Sequence, residues 1–405
     1  MCIIILEKKV LNDINKLKIM NYKESNKCQI SNSKNLKLIL SLGLIPPVNQ
    51  MSNINNKPKE QFFFPTEIYY CKKSKLVQLG IEVNKNILFP KEYPYTSSTT
   101  KILRENFKQL ASEVFRKFSF KKEDLIIDIG SNDGNLLSNF KNKIRVLGIT
   151  PEDIGKIAIK KGIPTILDYF SLDLTKKILS NYGKANFITA TNVFAHMENV
   201  NDIMLAIKRI LKPNGIFISE SHYLKSLVDQ NQFDTIYHEH LRYYSLSSLR
   251  YLFKRHNMEI IDAKKIKTHG GSIRVYAAFK GKHKINKAVK RLLNIEKNTL
   301  FKKDLFSFSN KVIQSKLNFY KLIRKIKKIN TKIYGISAPS RATTLINYLG
   351  LKSDVIDCIL EIEGSKKINK YLPGTDIPIF NEKKLYIDQP EYVVIFSWHI
   401  HKEII

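Results

Sequence analysis

Tryptophan occurs once in this 405-residue chain and cysteine four times. The cysteines, Cys2, Cys28, Cys71 and Cys358, are too widely spaced to read as a disulfide framework. No apolar run reaches the roughly 18 residues of a membrane span, so no membrane partner is expected. Cys2-Ile-Ile-Ile-Leu6 is too short for a signal peptide and lacks its basic start. A cytoplasmic protein is therefore expected. Acidic residues are scarce as well: 36 Asp and Glu against 68 Lys and Arg, a formal net charge of +32. Such an excess raises nucleic acid as a partner. The lysines, however, are scattered rather than gathered with aromatics on one face, and Lys, Ile and Asn are abundant throughout. A coding bias toward A and T accounts for that, and nucleic acid is not expected as the substrate.

What the chain does have is Phe233 to Tyr244, Phe-Asp-Thr-Ile-Tyr-His-Glu-His-Leu-Arg-Tyr-Tyr. His238 and His240 flank Glu239, with Tyr237 before them. The string reads as too polar for a core element. Histidine titrates near neutral pH and a neighbouring Glu tunes it, so the cluster can move a proton.

At 405 residues the chain is long for one domain, and its pattern changes along its length. Residues 1–19 look appended, with Met20 an alternative start. Residues 21–100 are turn-rich and predict a small irregular domain. Apolar spacing at Leu103, Phe107, Leu110, Val114 and Phe118 predicts a helix over 101–118. Strand runs follow at 125–129, 145–149, 164–167, 187–190 and 215–219, with helical stretches between them and a last strand at 272–278. That alternation predicts an α/β fold with a parallel doubly wound sheet, and the unit is bounded here at 101–284. Residues 285–328 predict a long basic helical region burying Val312, Phe319, Leu322 and Ile326. A second α/β unit is expected from about 331, giving a third segment of 285–405. Ile405 closely follows a strand, which predicts a last unit short of its closing helix.

Asp128-Ile-Gly-Ser-Asn-Asp-Gly134 follows the first strand and is expected to open a helix. Glycines there let the backbone turn and approach a ligand, with N–H groups of the helix start facing it. The spacing is not that of dinucleotide binders. It matches the first motif of Rossmann-like methyltransferases, where the acid holds the amino group of S-adenosylmethionine. Asp128, Gly130, Asn132, Asp133 and Gly134 are the candidate contacts. An ordinary strand–turn–helix corner is the alternative. Gly130→Val is expected to abolish cofactor binding by filling the cofactor's space. Thr150 stands where such folds often place a ribose-binding acid, with Glu152 close by. Asp168 and Tyr169 are adenine-side candidates, although Asp168 equally suits a helix cap.

Asn192 and His196 follow the fourth strand, at the edge where open α/β sheets hold ligands. A lone histidine there is as readily structural. His269, Gly270 and Gly271 precede Arg274, which is placed to meet a phosphate or carboxylate; a tight turn is the alternative. Cys28-x-x-Ser31 and Cys71-x-x-Ser74 look like Cys-x-x-Cys pairs that each lost a thiolate. Serine is a poor zinc ligand, so no zinc is expected, with Cys28 and Cys71 as remnants.

Together these motifs resemble the S-adenosylmethionine-dependent C-methyltransferases of nucleotide-linked 4-keto deoxysugars. The resemblance runs from about residue 26 and includes Glu92 to Ser98, Ser337 to Thr343, Asn347-Tyr348 and Tyr371 to Thr375. It implies a small zinc-binding-type domain, a class I methyltransferase domain and a C-terminal Rossmann-like domain that helps hold the nucleotide sugar. It implies His240 as the base, helped by Glu239, Tyr237 and His196, with Tyr93 or Tyr95 reaching in. His238, His269, Arg274, Ser340 and Arg341 are the substrate-side candidates. The chain departs from the family at the halved thiolates, at Thr150 and at its short end. Those departures keep open a second reading, a fold retained for binding without activity. An O- or N-methyltransferase can also use a His base.

Overall fold

A computed structural model describes residues 21–55, 61–89 and 100–405. The amino-terminal unit contains β1 (Tyr22–Glu24), β2 (Leu36–Ile45), β3 (Phe64–Cys71), β4 (Leu76–Leu79) and β5 (Ile81–Val83). It is more regular than its turn-rich sequence predicts. Phe64, Thr66, Ile68 and Tyr70 of β3 are buried while the residues between them are partly exposed, the period of two of a half-covered strand. β2, β3 and β4 form an antiparallel meander, and β1 pairs with β5.

The central unit is built on β6 (Leu125–Ile129), β7 (Arg145–Ile149), β8 (Thr165–Ile166), β9 (Ala185–Thr191) and β10 (Leu211–His222). The short β11 (Arg242–Tyr243) leaves that sheet and pairs with β4, so the His-rich string is stitched to the amino-terminal meander. β12 (Met258–Ile266) and β13 (Ser272–Phe279) complete seven strands in the order β12-β13-β10-β9-β6-β7-β8. Strands β8 to β10 run parallel with β6 and β7, while β13 runs against both β10 and β12. β6 is buried along its whole length, as expected of a parallel strand covered on both faces. Ile126 packs with Phe107, Leu110 and Val114 of helix Lys101–Lys117, and Ile127 and Ile129 pack with Met204 and Ile207 of helix Val200–Ile210.

The last unit holds β14 (Ile333–Ile336), β15 (Cys358–Glu361), β16 (Lys370–Tyr371), β17 (Pro378–Asn381) and β18 (Tyr392–Ile395), ordered β16-β17-β15-β14-β18. All its pairings are parallel except β16 with β17. Among the described residues no helix is long and apolar enough to cross a membrane.

Four expectations change. No α-helix follows Gly134; a short helical turn at Leu137–Asn139 stands there instead. β12 carries Asp, Lys and Lys among its apolar residues and escapes pattern reading. The basic region is a helix at Lys287–Ile295, a wide-turn segment at Glu296–Asp304 and a helix at Phe308–Ile326. On that last helix Val312 is buried but Leu322 is 52% exposed.

Candidate active site

Strand order reverses between β6 and β9, which makes their carboxyl ends the natural crevice of this sheet. Asp128 is buried there and accepts a 2.6 Å hydrogen bond from Thr189 Oγ1. Burial, opposed by that bond and reinforced by Glu220, pushes the Asp128 carboxyl up to about 7. Gly130, Asn132 and Gly134 all have positive φ, so the loop coils tightly. A Cβ on Gly130 would lie 2.8 Å from Val193 Cγ2, and one on Gly134 would lie 2.7 Å from Ile163 Cδ1. The Gly130 expectation is therefore corrected: a side chain there collides with the neighbouring loop of the protein itself. Asp133 is buried and lies 3.4 Å from Lys161 Nζ, so its carboxylate braces the loop.

At the end of β7, Thr150 Oγ1 donates to Glu152 Oε2 at 2.5 Å, so the hydroxyl and its acidic substitute stand together. Asp168 is exposed and accepts from its neighbour Tyr169 N at 2.7 Å. Asn192 has φ of 57° and donates its N–H to Glu220 O at 2.9 Å, which fixes the turn after β9. These residues fit S-adenosylmethionine: a cationic amino group beside Asp128 would relieve the cost of burying that carboxyl, and Glu152 can accept from ribose hydroxyls.

The His-rich string corrects the idea that it is too polar for the interior. Phe233 to Ile236, His238, Glu239 and Leu241 to Tyr244 are buried. Most of its polar side chains are paired through at least one atom, as buried polar groups generally are, although the Tyr243 hydroxyl has no partner among the described residues. His238 Nε2 donates to Pro65 O at 3.2 Å and lies 3.1 Å from Thr66 Oγ1, tying the string to β3. At 1% exposure His238 is a strut, not the substrate contact expected. Glu239 accepts from Asn49 Nδ2 at 2.7 Å.

His240 is different, because its ring is only partly buried. Its Nδ1 lies 2.8 Å from Thr235 O. A carbonyl oxygen only accepts, so Nδ1 carries the proton and Nε2 keeps its lone pair. The Tyr237 ring centroid lies 4.2 Å from that of His240, and the His196 ring lies 4.9 Å away on another loop. Burial lowers the His240 pKa well below the ordinary value, and nearby His196 adds to the effect. Burial lowers His196 to about 4.

The last unit packs against the same string. Arg341 Nε lies 3.8 Å from Asp234 Oδ2, and its guanidinium stands 5.3 Å from the Trp398 ring centroid. Trp398 Nε1 donates to the same carboxylate oxygen at 3.0 Å. Ser340 Oγ donates to Asn49 Oδ1 at 3.3 Å. His269 sits on a turn with φ of 54°, and its buried Nε2 has no partner among the described residues. Arg274 does not join them. It is fully buried, with Nη1 on Glu113 and Nη2 on Asn106 at 2.8 Å each and Nε on Glu220, so it locks helix Lys101–Lys117 to the sheet. That corrects its expected role as a phosphate or carboxylate contact. Tyr93 and Tyr95 lie outside the described residues.

Three family descriptions match successive segments: "Putative zinc binding domain" over 28–89, "Methyltransferase domain" over 102–263 and "C-methyltransferase C-terminal domain" over 267–405. The chain is a methyltransferase. The C-methyltransferase NovU of Streptomyces niveus is 27% identical over 372 residues, which is 91% of this chain and 88% of that protein. Solved structures with partial likeness include a methyltransferase from Clostridium acetobutylicum (14% identity, 45% of this chain, 94% of that one, TM-score 0.34). Another is the magnesium protoporphyrin IX methyltransferase of Synechocystis (12%, 44% and 83%, TM-score 0.35).

The zinc-type domain of this methyltransferase brings its two knuckles together. Cys28 Sγ lies 3.1 Å from Ser74 Oγ, and Ser31 Oγ lies 3.5 Å from Cys71 Sγ. All four residues are buried. Burial raises the Cys71 thiol, but hydrogen bonds with Ser74 and Ser31 outweigh it and draw the pKa down to about 7. Two thiols and two hydroxyls bonded to each other do not fit a structural zinc ion. Among the described residues no cluster of His, Cys, Asp or Glu suits a metal.

Sequence reasoning missed Asn49, His222, Asp234, Trp398 and His399. His222 ends β10 as Asn192 and His196 follow β9, so the same edge argument could have found it. Nothing local marks Asn49 or His399. A cavity of about 410 Å³ lined by Leu125, Lys141, Arg145, Pro164 and Tyr182 lies at the opposite, amino edge of the sheet, away from these groups.

Proposed function

We propose that this methyltransferase transfers the methyl group of S-adenosylmethionine to a carbon beside the ketone of a nucleotide-linked 4-keto deoxysugar. The observation that carries the reading is the fixed tautomer of His240, whose unprotonated Nε2 stands beside Tyr237 and His196. Carbon becomes nucleophilic once its proton is removed, and that demands a positioned base. Oxygen acceptors need one less. The match to a C-methyltransferase C-terminal domain supports carbon as the acceptor.

In this reading His240 Nε2 takes the proton from the carbon next to the ketone, and the electron pair moves to the ketone oxygen. Thr235 O steadies the imidazolium through the Nδ1–H bond. Tyr237 stands close enough to donate to the enolate oxygen. An enolate developing beside the imidazolium offsets the burial that holds the His240 pKa down, because opposite charges attract strongly in a poorly solvated chamber. S-adenosylmethionine supplies an electrophilic methyl on a positively charged sulfur. Asp128 and Glu152 hold that molecule in line rather than exchanging protons with it. Ser340 and Arg341 of the last unit hold the nucleotide-bearing side of the sugar.

The test is incubation with methyl-labelled S-adenosylmethionine and a panel of nucleotide-linked 4-keto-6-deoxysugars. A new carbon–methyl bond in the product, seen by NMR, is the expected result. A methyl found on oxygen or nitrogen, or no acceptor in the panel, overturns the reading.

A further inference from the structure

His222 closes β10 at the carboxyl edge of the sheet, one strand over from the loop that carries His196. Its Nε2 lies 2.8 Å from Gln232 Oε1. The Gln232 amide nitrogen donates to Gly270 O at 2.6 Å and to Gln230 Oε1 at 2.8 Å. The Gly270 carbonyl can only accept, so the amide cannot be turned round, and its oxygen faces His222. His222 must therefore donate from Nε2, which leaves the lone pair on Nδ1. Among the described residues that nitrogen has no partner, and the ring is partly accessible.

The surroundings keep this arrangement rigid. Gln232 is 1% exposed. A Cβ on Gly270 would lie 2.9 Å from its amide atoms, so glycine at 270 is what allows the carbonyl to reach them. Burial, with the Arg341 charge and the rings of His269 and His399 adding to it, lowers the His222 pKa to about 3. The ring stays neutral at working pH, and Nδ1 stays an acceptor. His240 and His222 thus hold opposite tautomers on the same edge. The first presents Nε2 as a base; the second presents Nδ1 as a fixed acceptor.

We propose that His222 determines substrate specificity by accepting, at Nδ1, a hydrogen bond from a hydroxyl of the sugar bound beside His240. This rests on the sugar-nucleotide reading above. A fixed acceptor in a desolvated site selects a ligand that brings a donor and penalises one that lacks it. The acceptor takes part in recognition and not in proton removal, so no bond to carbon changes at His222.

The experiment measures binding by calorimetry with the protein saturated in S-adenosylhomocysteine. The probes are thymidine-diphosphate-linked 4-keto-6-deoxyglucose and its 2-deoxy and 3-deoxy counterparts. His222→Phe keeps the ring volume and removes the acceptor; His222→Asn places an oxygen near the position of Nδ1. The expected result is about fivefold weaker binding of the hydroxylated parent to His222→Phe. One deoxy counterpart should lose nothing, and His222→Asn should recover most of the parent's affinity. Equal loss for the parent and both deoxy probes, or no loss at all, overturns the assignment and leaves the sugar-nucleotide reading standing. Failure of the unsubstituted protein to bind any probe overturns that reading and the assignment with it. An independent readout is the nitrogen NMR of the ligand-free protein, where a protonated Nδ1 on His222 also overturns the assignment.

Discussion

Asn49 donates from Nδ2 to Glu239 Oε1 at 2.7 Å, across 190 residues of sequence. Its own carbonyl oxygen accepts from Ser340 Oγ at 3.3 Å. One amide of the amino-terminal unit thus joins the His-rich string to the last unit.

Asn49→Ala should lower turnover about tenfold, since a hydrogen bond to a charged group is worth roughly 1.5–3 kcal/mol. Affinity for S-adenosylmethionine should hold, because the residues around Asp128 sit on other loops. Steady-state rates and cofactor calorimetry check the split; equal loss in both would mean general unfolding instead.

His240→Ala should lose on the order of 10²–10⁴ in rate. Solvent deuterium exchange at the acidic carbon should fall in parallel. If exchange persists while methylation stops, His240 positions the sugar rather than ionising it, and His196, 4.9 Å away, becomes the base to test.

Gly130→Ala should destabilise the protein by more than the roughly 1–2 kcal/mol of left-handed strain, because its Cβ would lie 2.8 Å from Val193 Cγ2. Adding Val193→Ala removes the two methyl contacts but leaves the Val193 Cβ at 2.9 Å, so it should recover only part of the steric cost and leave the strain. Thermal melts of the single and double variants measure this. A double variant no more stable than Gly130→Ala would show that the collision costs nothing.

Zinc should be absent from the purified protein and present at one ion per chain in the Ser31→Cys, Ser74→Cys double variant. The serines stand 3.5 and 3.1 Å from the existing sulfurs, so the substitutions complete four thiolates in one place. Elemental analysis decides it, and one zinc per chain before substitution would reverse the account of this site.

Stability should fall as the pH drops from about 6.5 to 5. Burial holds His196, His238 and His269 at about 4, His222 and His399 at about 3, and His240 well below 6.5. The unfolded chain takes up protons near pH 6.5 that the native state refuses, so acid favours unfolding. Asp128, raised to about 7, and Asp234 and Glu296, also raised, act with the opposite sign over this window, but they are fewer. A urea midpoint lower at pH 5 than at pH 7.5 is the expected result; a higher one would mean that these histidines are charged in the native state.

The sequence by itself determined the local elements and the reactive string. Ile126, Ile127 and Ile129 could only be a covered strand, and the positive-φ turn after them needs Gly130 and Gly134. Tyr237, His238, Glu239 and His240 were legible as a proton-moving cluster because such residues are costly to keep together without partners. Which of them does what was not legible. His238 and His240 are two positions apart and look alike in sequence. Only the tertiary structure turns one ring onto the backbone of β3 and pins the other through Nδ1 to Thr235 O. Arg274 reads as an anion contact until Glu113, Glu220 and Asn106 close around it. Asn49, His222 and His399 become neighbours of the site through long-range packing, and a hydrogen bond across 190 residues leaves no mark in local spacing. Periodicity records what each segment buries; the direction in which a buried polar atom points is set by partners that only folding brings near.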